Sequence, residues 1–137
     1  MLELVYQITA LQIFCKDAHY SLRGTNFKPL HEWMDEIADP LADYLDEIKE
    51  SVFLRVDGKV PRGVDINNSA AWYVPTEIGA DNHEILSNVQ AMLMMIHQNI
   101  GGMEKLTAGE SDIVGRLDSH IQKHLGLLNL ALKGVEK

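Results

Sequence analysis

Apolar residues recur at steps of three and four through most of this chain, and that spacing predicts helices. Leu4, Ile8, Leu11, Cys15, Ala18 and Leu22 mark one face of a first helix from about Leu2 to Arg23. Gly24-Thr25-Asn26 should stop it, with Gly24 able to take a left-handed conformation. Thr25 or Asn26 can cap a second helix, and Pro29 falls in its first turn, where a missing N–H costs little. Leu30, Met34, Ile37, Leu41, Leu45, Ile48 and Val52 continue that helix, and Pro40 should bend it or remove one hydrogen bond.

Between Arg55 and Gly79 the periodicity fails under Gly58, Pro61, Gly63, Asn67, Asn68 and Pro75, leaving a long connection with room for a short helix near Ser69 to Val74. A third helix is expected from about Asp81 to Lys105 through Ile85, Val89, Met92, Ile96 and Ile100, with so few charges that burial on two sides is expected. A fourth is expected from about Ser111 to Lys133 through Ile113, Leu117, Ile121, His124, Leu128 and Leu132, after a Thr107-Ala108-Gly109 loop. No strand alternation of useful length interrupts this. The prediction is an all-α four-helix bundle with a long crossover between the second and third helices, a ferritin-like connectivity.

Composition narrows the partners. The chain has 137 residues, one domain's worth, and a formal charge of −8, which opposes non-specific binding to nucleic acid or anionic membrane. No uninterrupted apolar run fits a leader or a membrane span, so a cytoplasmic address is expected. The lone Cys15 excludes an internal disulfide and lies on the apolar face, where burial is its expected role.

Five residues of the first two helices have hard-metal donors: His19, His31, Asp35, Asp46 and Glu50. His31 and Asp35 are four apart, hence about 40° from each other on one helix face, and Asp46 and Glu50 repeat the spacing. His19 and His31 lie six residues either side of Thr25, so antiparallel helices would bring them to similar heights. Imidazole with carboxylate suits iron or another first-row metal. Yet fifteen residues separate His31 from Asp46, about 22 Å along one helix. One metal centre can use all five only if a second copy of the chain, running antiparallel about a two-fold axis, supplies the second pair. Glu-x-x-His, the motif that closes a site inside a single bundle, is absent.

Other residues have plainer readings. Tyr20, Trp33 and Tyr44 could serve as one-electron reservoirs, but packing is the commoner role. His120 and His124 could chelate together, but one packed and one exposed histidine is the more frequent outcome. Met92, Met94, Met95 and Met103 read as core or interface filler. Asp112 and Asp118 are weak candidates for lining a pore.

These residues resemble the Dps family of ferritin-like mini-ferritins. His19-Tyr20-Ser21-Leu22-Arg23-Gly24, five further residues and then Leu30-His31-Glu32-Trp33-Met34-Asp35 are similar to its first ligand motif. Lys16 and the Asn26-Phe27 turn fit the same pattern. Leu45-Asp46-Glu47-Ile48-Lys49-Glu50 matches the second motif, and Gln122-Lys123-His124-Leu125 resembles the closing helix. The crossover and third helix match only in length and character. The chain departs from the pattern at Tyr20, Pro40, Lys49 and Ser51.

The resemblance implies one ferritin-like domain over residues 1–137 and a hollow, cytoplasmic shell of twelve copies with sites at the two-fold interfaces. His19, His31 and Asp35 would come from one subunit, and Asp46 and Glu50 from its neighbour. It implies a ferroxidase that oxidises Fe(II) there, preferentially with hydrogen peroxide, at a di-iron site that zinc or manganese could also occupy, and stores the ferric product as mineral. A shell or binding module with a weak or non-redox, zinc-type site is the alternative. The chain begins almost at its first helix and ends Leu132-Lys133-Gly134-Val135-Glu136-Lys137 with only two lysines, so the DNA condensation of some members is not implied.

Overall fold

The computed structural model describes residues 1–135, and the terminal Glu136-Lys137 lies outside them. Among the described residues the regular elements are all helical, with no strand. Helix α1 runs Leu2–Ser21 and α2 Phe27–Ala38. Next come α3 at Leu41–Ile48, a π-helical segment at Lys49–Leu54, and one further turn, α4, at Arg55–Asp57. The crossover holds α5, Gly63–Ala70, and a 3-10 turn, Ala71–Tyr73. Helices α6, Asn82–Gly101, and α7, Ala108–Val135, complete the bundle.

Two helical hairpins pack face to face, α1 with α2 and α6 with α7, and α1 meets α6 while α3 meets α7. The core runs through Leu4, Ile8, Leu11, Phe14, Met34, Ile37, Leu41, Ile48, Leu86, Leu93, Ile96, Leu117 and Leu128. This is the ferritin-like bundle with its long crossover, as the periodicity predicts.

Boundaries shift for local reasons. α1 stops at Ser21 instead of Arg23 because Leu22 is already extended. Gly24 has φ +92° in the turn beyond, accepting from Phe27 N at 3.1 Å. Asn26 stands at the cap position of α2 but makes no side-chain capping bond. The amide of Asn82 clamps the turn to α6, accepting from Arg23 N at 3.0 Å and donating to Arg23 O at 2.6 Å.

Pro40 interrupts the hydrogen-bond ladder without turning the chain away. Asp39 and Pro40 both keep right-handed helical angles, and Tyr44 N reaches Pro40 O only at 3.5 Å. The second rod therefore continues from Phe27 to Asp57, where Gly58 ends it at φ +72°.

The crossover helix lies earlier than the expected Ser69–Val74, because Ile66 and Ala70, four apart, bury themselves on α1. α6 ends at Gly101, short of Lys105, and Asp81 caps it by accepting from Glu84 N at 2.9 Å. α7 starts three residues before Ser111. Thr107 and Glu110 form a capping box, Thr107 Oγ1 accepting from Glu110 N at 3.1 Å and Glu110 Oε1 from Thr107 N at 2.9 Å. α6 is not buried on two sides in the single chain: Met92 enters the core, but Met94 and Met95 face outward.

Candidate metal centre

The α1–α2 hairpin brings His19 and His31 into contact. Their rings stack with centroids 3.3 Å apart. Nδ1 of His19 lies 2.7 Å from the backbone carbonyl of His31, and Nδ1 of His31 lies 2.5 Å from the carbonyl of His19. A carbonyl can only accept, so both Nδ1 atoms carry hydrogen and act as donors. In the neutral rings, Nε2 of each histidine therefore bears the lone pair. Metal-binding histidines are oriented the same way, by a bond from the other ring nitrogen to a carbonyl or carboxylate. The sequence places these two residues at one height; their reciprocal lock has no signature in residue type or spacing.

Asp35, one turn beyond His31, joins the cluster from the Nδ1 edge. Its Oδ1 lies 3.4 Å from His19 Nδ1 and 3.4 Å from Lys16 Nζ. Around the pair stand Tyr20, edge-on to His19 at 4.9 Å, and Phe27, 4.9 Å from the His31 ring. Beneath it, Cys15 is fully buried, and burial first, with the charge of Asp35 second, pushes its thiol up to about 12.

Asp46 and Glu50 do not belong to this cluster. Asp46 is on α3 and Glu50 is the second residue of the π-helical segment, and both are exposed. The intervening rod separates them from His31 by about 22 Å for Asp46 and about 28 Å for Glu50 at helical rise. Among the described residues, no three His, Cys, Asp or Glu side chains of one chain are gathered as a metal-holding group. The donor types suit a first-row metal, but one copy offers only part of a coordination shell.

The second histidine pair is committed elsewhere. Trp33 Nε1 donates to His124 Nδ1 at 3.0 Å, so His124 spends the lone pair that the hairpin histidines do not. His120 Nε2 lies 2.9 Å from the carbonyl of Ile37 and so donates to it. Neither is the exposed partner expected from the sequence, since His120 is half-buried and His124 only 2% exposed. Burial, then the charges of His120 and Lys123, hold the His124 imidazole down at about 4.

The acidic side chains of α7 are also engaged. Asp118 Oδ1 is 2.7 Å from His97 Nδ1, and its Oδ2 accepts from Gln122 at 2.6 Å. His97 and Asp118 are twenty-one residues apart on different helices, so no motif announces their pairing. Asp112 accepts from Arg116, which also forms a two-pronged pair with Glu47. Of the three aromatics, Trp33 and Tyr44 are tied into the bundle, Tyr44 donating to Arg116 O at 3.3 Å, while Tyr20 stands out from it.

Among the described residues, no helix is long and apolar enough to cross a membrane. No protein-family model matches the chain. Over 127 residues it is 24% identical to DNA protection during starvation protein 2 of Deinococcus radiodurans, a match covering 86% of this chain and 51% of that protein. The chain thus spans about half the length of the curated relative it matches. Its likeness, carried across most of its own residues, is to a Dps-like protein.

Proposed function

We propose that this protein is a Dps-like mini-ferritin, a cytoplasmic ferroxidase that takes Fe(II) and hydrogen peroxide as substrates and stores the ferric product inside a shell of twelve copies. Residues 1–137 act as one ferritin-like domain. The observation that carries the reading is the reciprocal hydrogen bonding of His19 and His31, which fixes two imidazoles with Nε2 as the lone-pair atom. The distant Dps relative supports the same reading. Asp46 and Glu50 of a second copy, running antiparallel, complete the di-iron site, which zinc or manganese can also fill.

In this scheme the protein supplies position and charge. His19 and His31 offer the Nε2 lone pairs, and the carboxylates offset the charge that grows as iron becomes ferric. Asp35 must turn away from Lys16 to reach the Nε2 side, which leaves the Lys16 ammonium free to attract anionic product or a carboxylate. Each peroxide accepts two electrons, one from each of two ferrous ions, and with two protons its O–O bond breaks to give two waters. Charge argues against duplex DNA as a further partner.

Shared ownership of the site has an arithmetic test. A variant carrying His19→Ala and His31→Ala, and another carrying Asp46→Ala and Glu50→Ala, should each lose peroxide-dependent iron oxidation. Dissociated together and reassembled, half of the two-fold pairs are mixed, and each mixed pair holds one intact site of two. About one quarter of the sites should return. Stopped-flow ferric absorbance reads this, and no recovery in properly mixed particles rejects the inter-subunit centre.

A further inference from the structure

Helix α3 is short and has irregular bonding at both ends. Pro40 has no N–H to give to the preceding turn, and Tyr44 N reaches Pro40 O only at 3.5 Å. At Lys49 the ladder widens into the π-helical segment that carries Glu50. Leu41, Leu45 and Ile48 seat α3 in the core, but no unbroken ladder locks it on either side. A second grip comes from α7. Arg116 Nη1 and Nη2 donate to the two carboxylate oxygens of Glu47 at 3.1 and 3.0 Å, and its Nε donates to Asp112 at 3.1 Å. Its guanidinium lies 6.0 Å from the centre of the Tyr44 ring, and Tyr44 closes the knot by donating to Arg116 O at 3.3 Å.

Tyr44 and Glu47 are three residues apart, about 60° round the helix, so the knot holds α3 at two points of one face. Asp46 stands about 100° round from Glu47, exposed, and Glu50 follows four residues later, also exposed. An ion pair as open to water as Arg116 with Glu47 contributes little stability by itself. Two parallel N–H bonds fix direction instead. We infer that Arg116 is a positioning residue for the carboxylate pair. By holding Glu47 and Tyr44 to α7 it sets the rotation of α3, and with it the direction in which Asp46 and Glu50 meet a divalent cation shared with a second copy. The inference rests on the shared-site reading and deepens it by naming the residue that aims half of the site.

Charge and position predict opposite signs. Arg116→Met removes a positive charge from the neighbourhood of the carboxylates, so by charge alone a cation should bind more tightly, whereas by position it should bind more weakly. Arg116 is exposed, so helical circular dichroism should not change. Cobalt(II) titration of the assembled protein, followed through its absorption bands, should show an affinity about tenfold lower for Arg116→Met. Arg116→Lys keeps the charge but cannot form the two-pronged pair, and should be lowered nearly as far. His97→Gln, which removes the His97–Asp118 bond between α6 and α7 and leaves α3 alone, should bind as the wild type does. Unchanged or tighter binding in Arg116→Met overturns the inference, as does wild-type affinity in Arg116→Lys. Equal weakening in His97→Gln also overturns it, since the effect is then a general loosening of α7. Asp46→Ala with Glu50→Ala tests the underlying reading separately. If that variant binds cobalt(II) as the wild type does, or the wild type shows no bands, the shared site falls and the role of Arg116 falls with it.

Discussion

Histidine occurs in two opposed states in this bundle, and the difference lies in which ring nitrogen gives its hydrogen away. His19 and His31 donate from Nδ1 to carbonyls, whereas His124 accepts at Nδ1 from Trp33. A chain of letters shows six histidines and their spacing, which was enough to single out His19 and His31 but not to assign a tautomer. The tautomer depends on partners twelve or ninety-one residues away. For His124 the consequence is a pH dependence. Its imidazole protonates at about 4 when folded, below its ordinary 6.5, so between those values the unfolded chain binds more protons. The stability it contributes is complete above 6.5 and is lost as pH falls toward 4. Urea midpoints should therefore drop between pH 7 and pH 5, and His124→Gln should flatten the drop. Trp33→Phe, which leaves the buried Nδ1 without its donor, should cost about 1–3 kcal/mol at pH 7.

At the scale of elements, spacing found every helix of the bundle because each buries a stripe at three- and four-residue steps. What it did not reveal were features that depend on backbone hydrogen bonding alone. Nothing in Lys49-Glu50-Ser51-Val52-Phe53-Leu54 distinguishes a wider π turn from an α turn, yet Glu50 sits on it. Pro40 was legible as a lost bond, but its mild effect on direction follows from angles that remain helical on both sides. The crossover was legible only as a gap in periodicity, since α5 owes its position to Ile66 and Ala70 meeting α1. Its end is fixed by a close approach. Gly79 has φ +128°, and a Cβ there would lie 2.8 Å from the backbone nitrogen of Ile85. Gly79→Ala must strain the backbone and push the start of α6 away, so a loss of about 2–3 kcal/mol is expected by urea denaturation.

For the whole molecule, the sequence carried the antiparallel bundle further than the site. Two pairs of candidate donors at opposite ends of one rod were readable, and nothing within one chain brings the two pairs together. The net charge of −8 acts at this scale. Despite the name of the Deinococcus relative, duplex DNA should show no retardation in a gel shift at physiological salt, because the protein repels phosphate overall. The sealed position of Cys15 has its own consequence for the chemistry of its sulfur. Sulfur is attacked as thiolate, and a buried thiol held near 12 offers almost none at neutral pH. Exposed to peroxide, the chain should therefore not accumulate sulfenic acid at its lone sulfhydryl, and needs no reductase to keep that position intact.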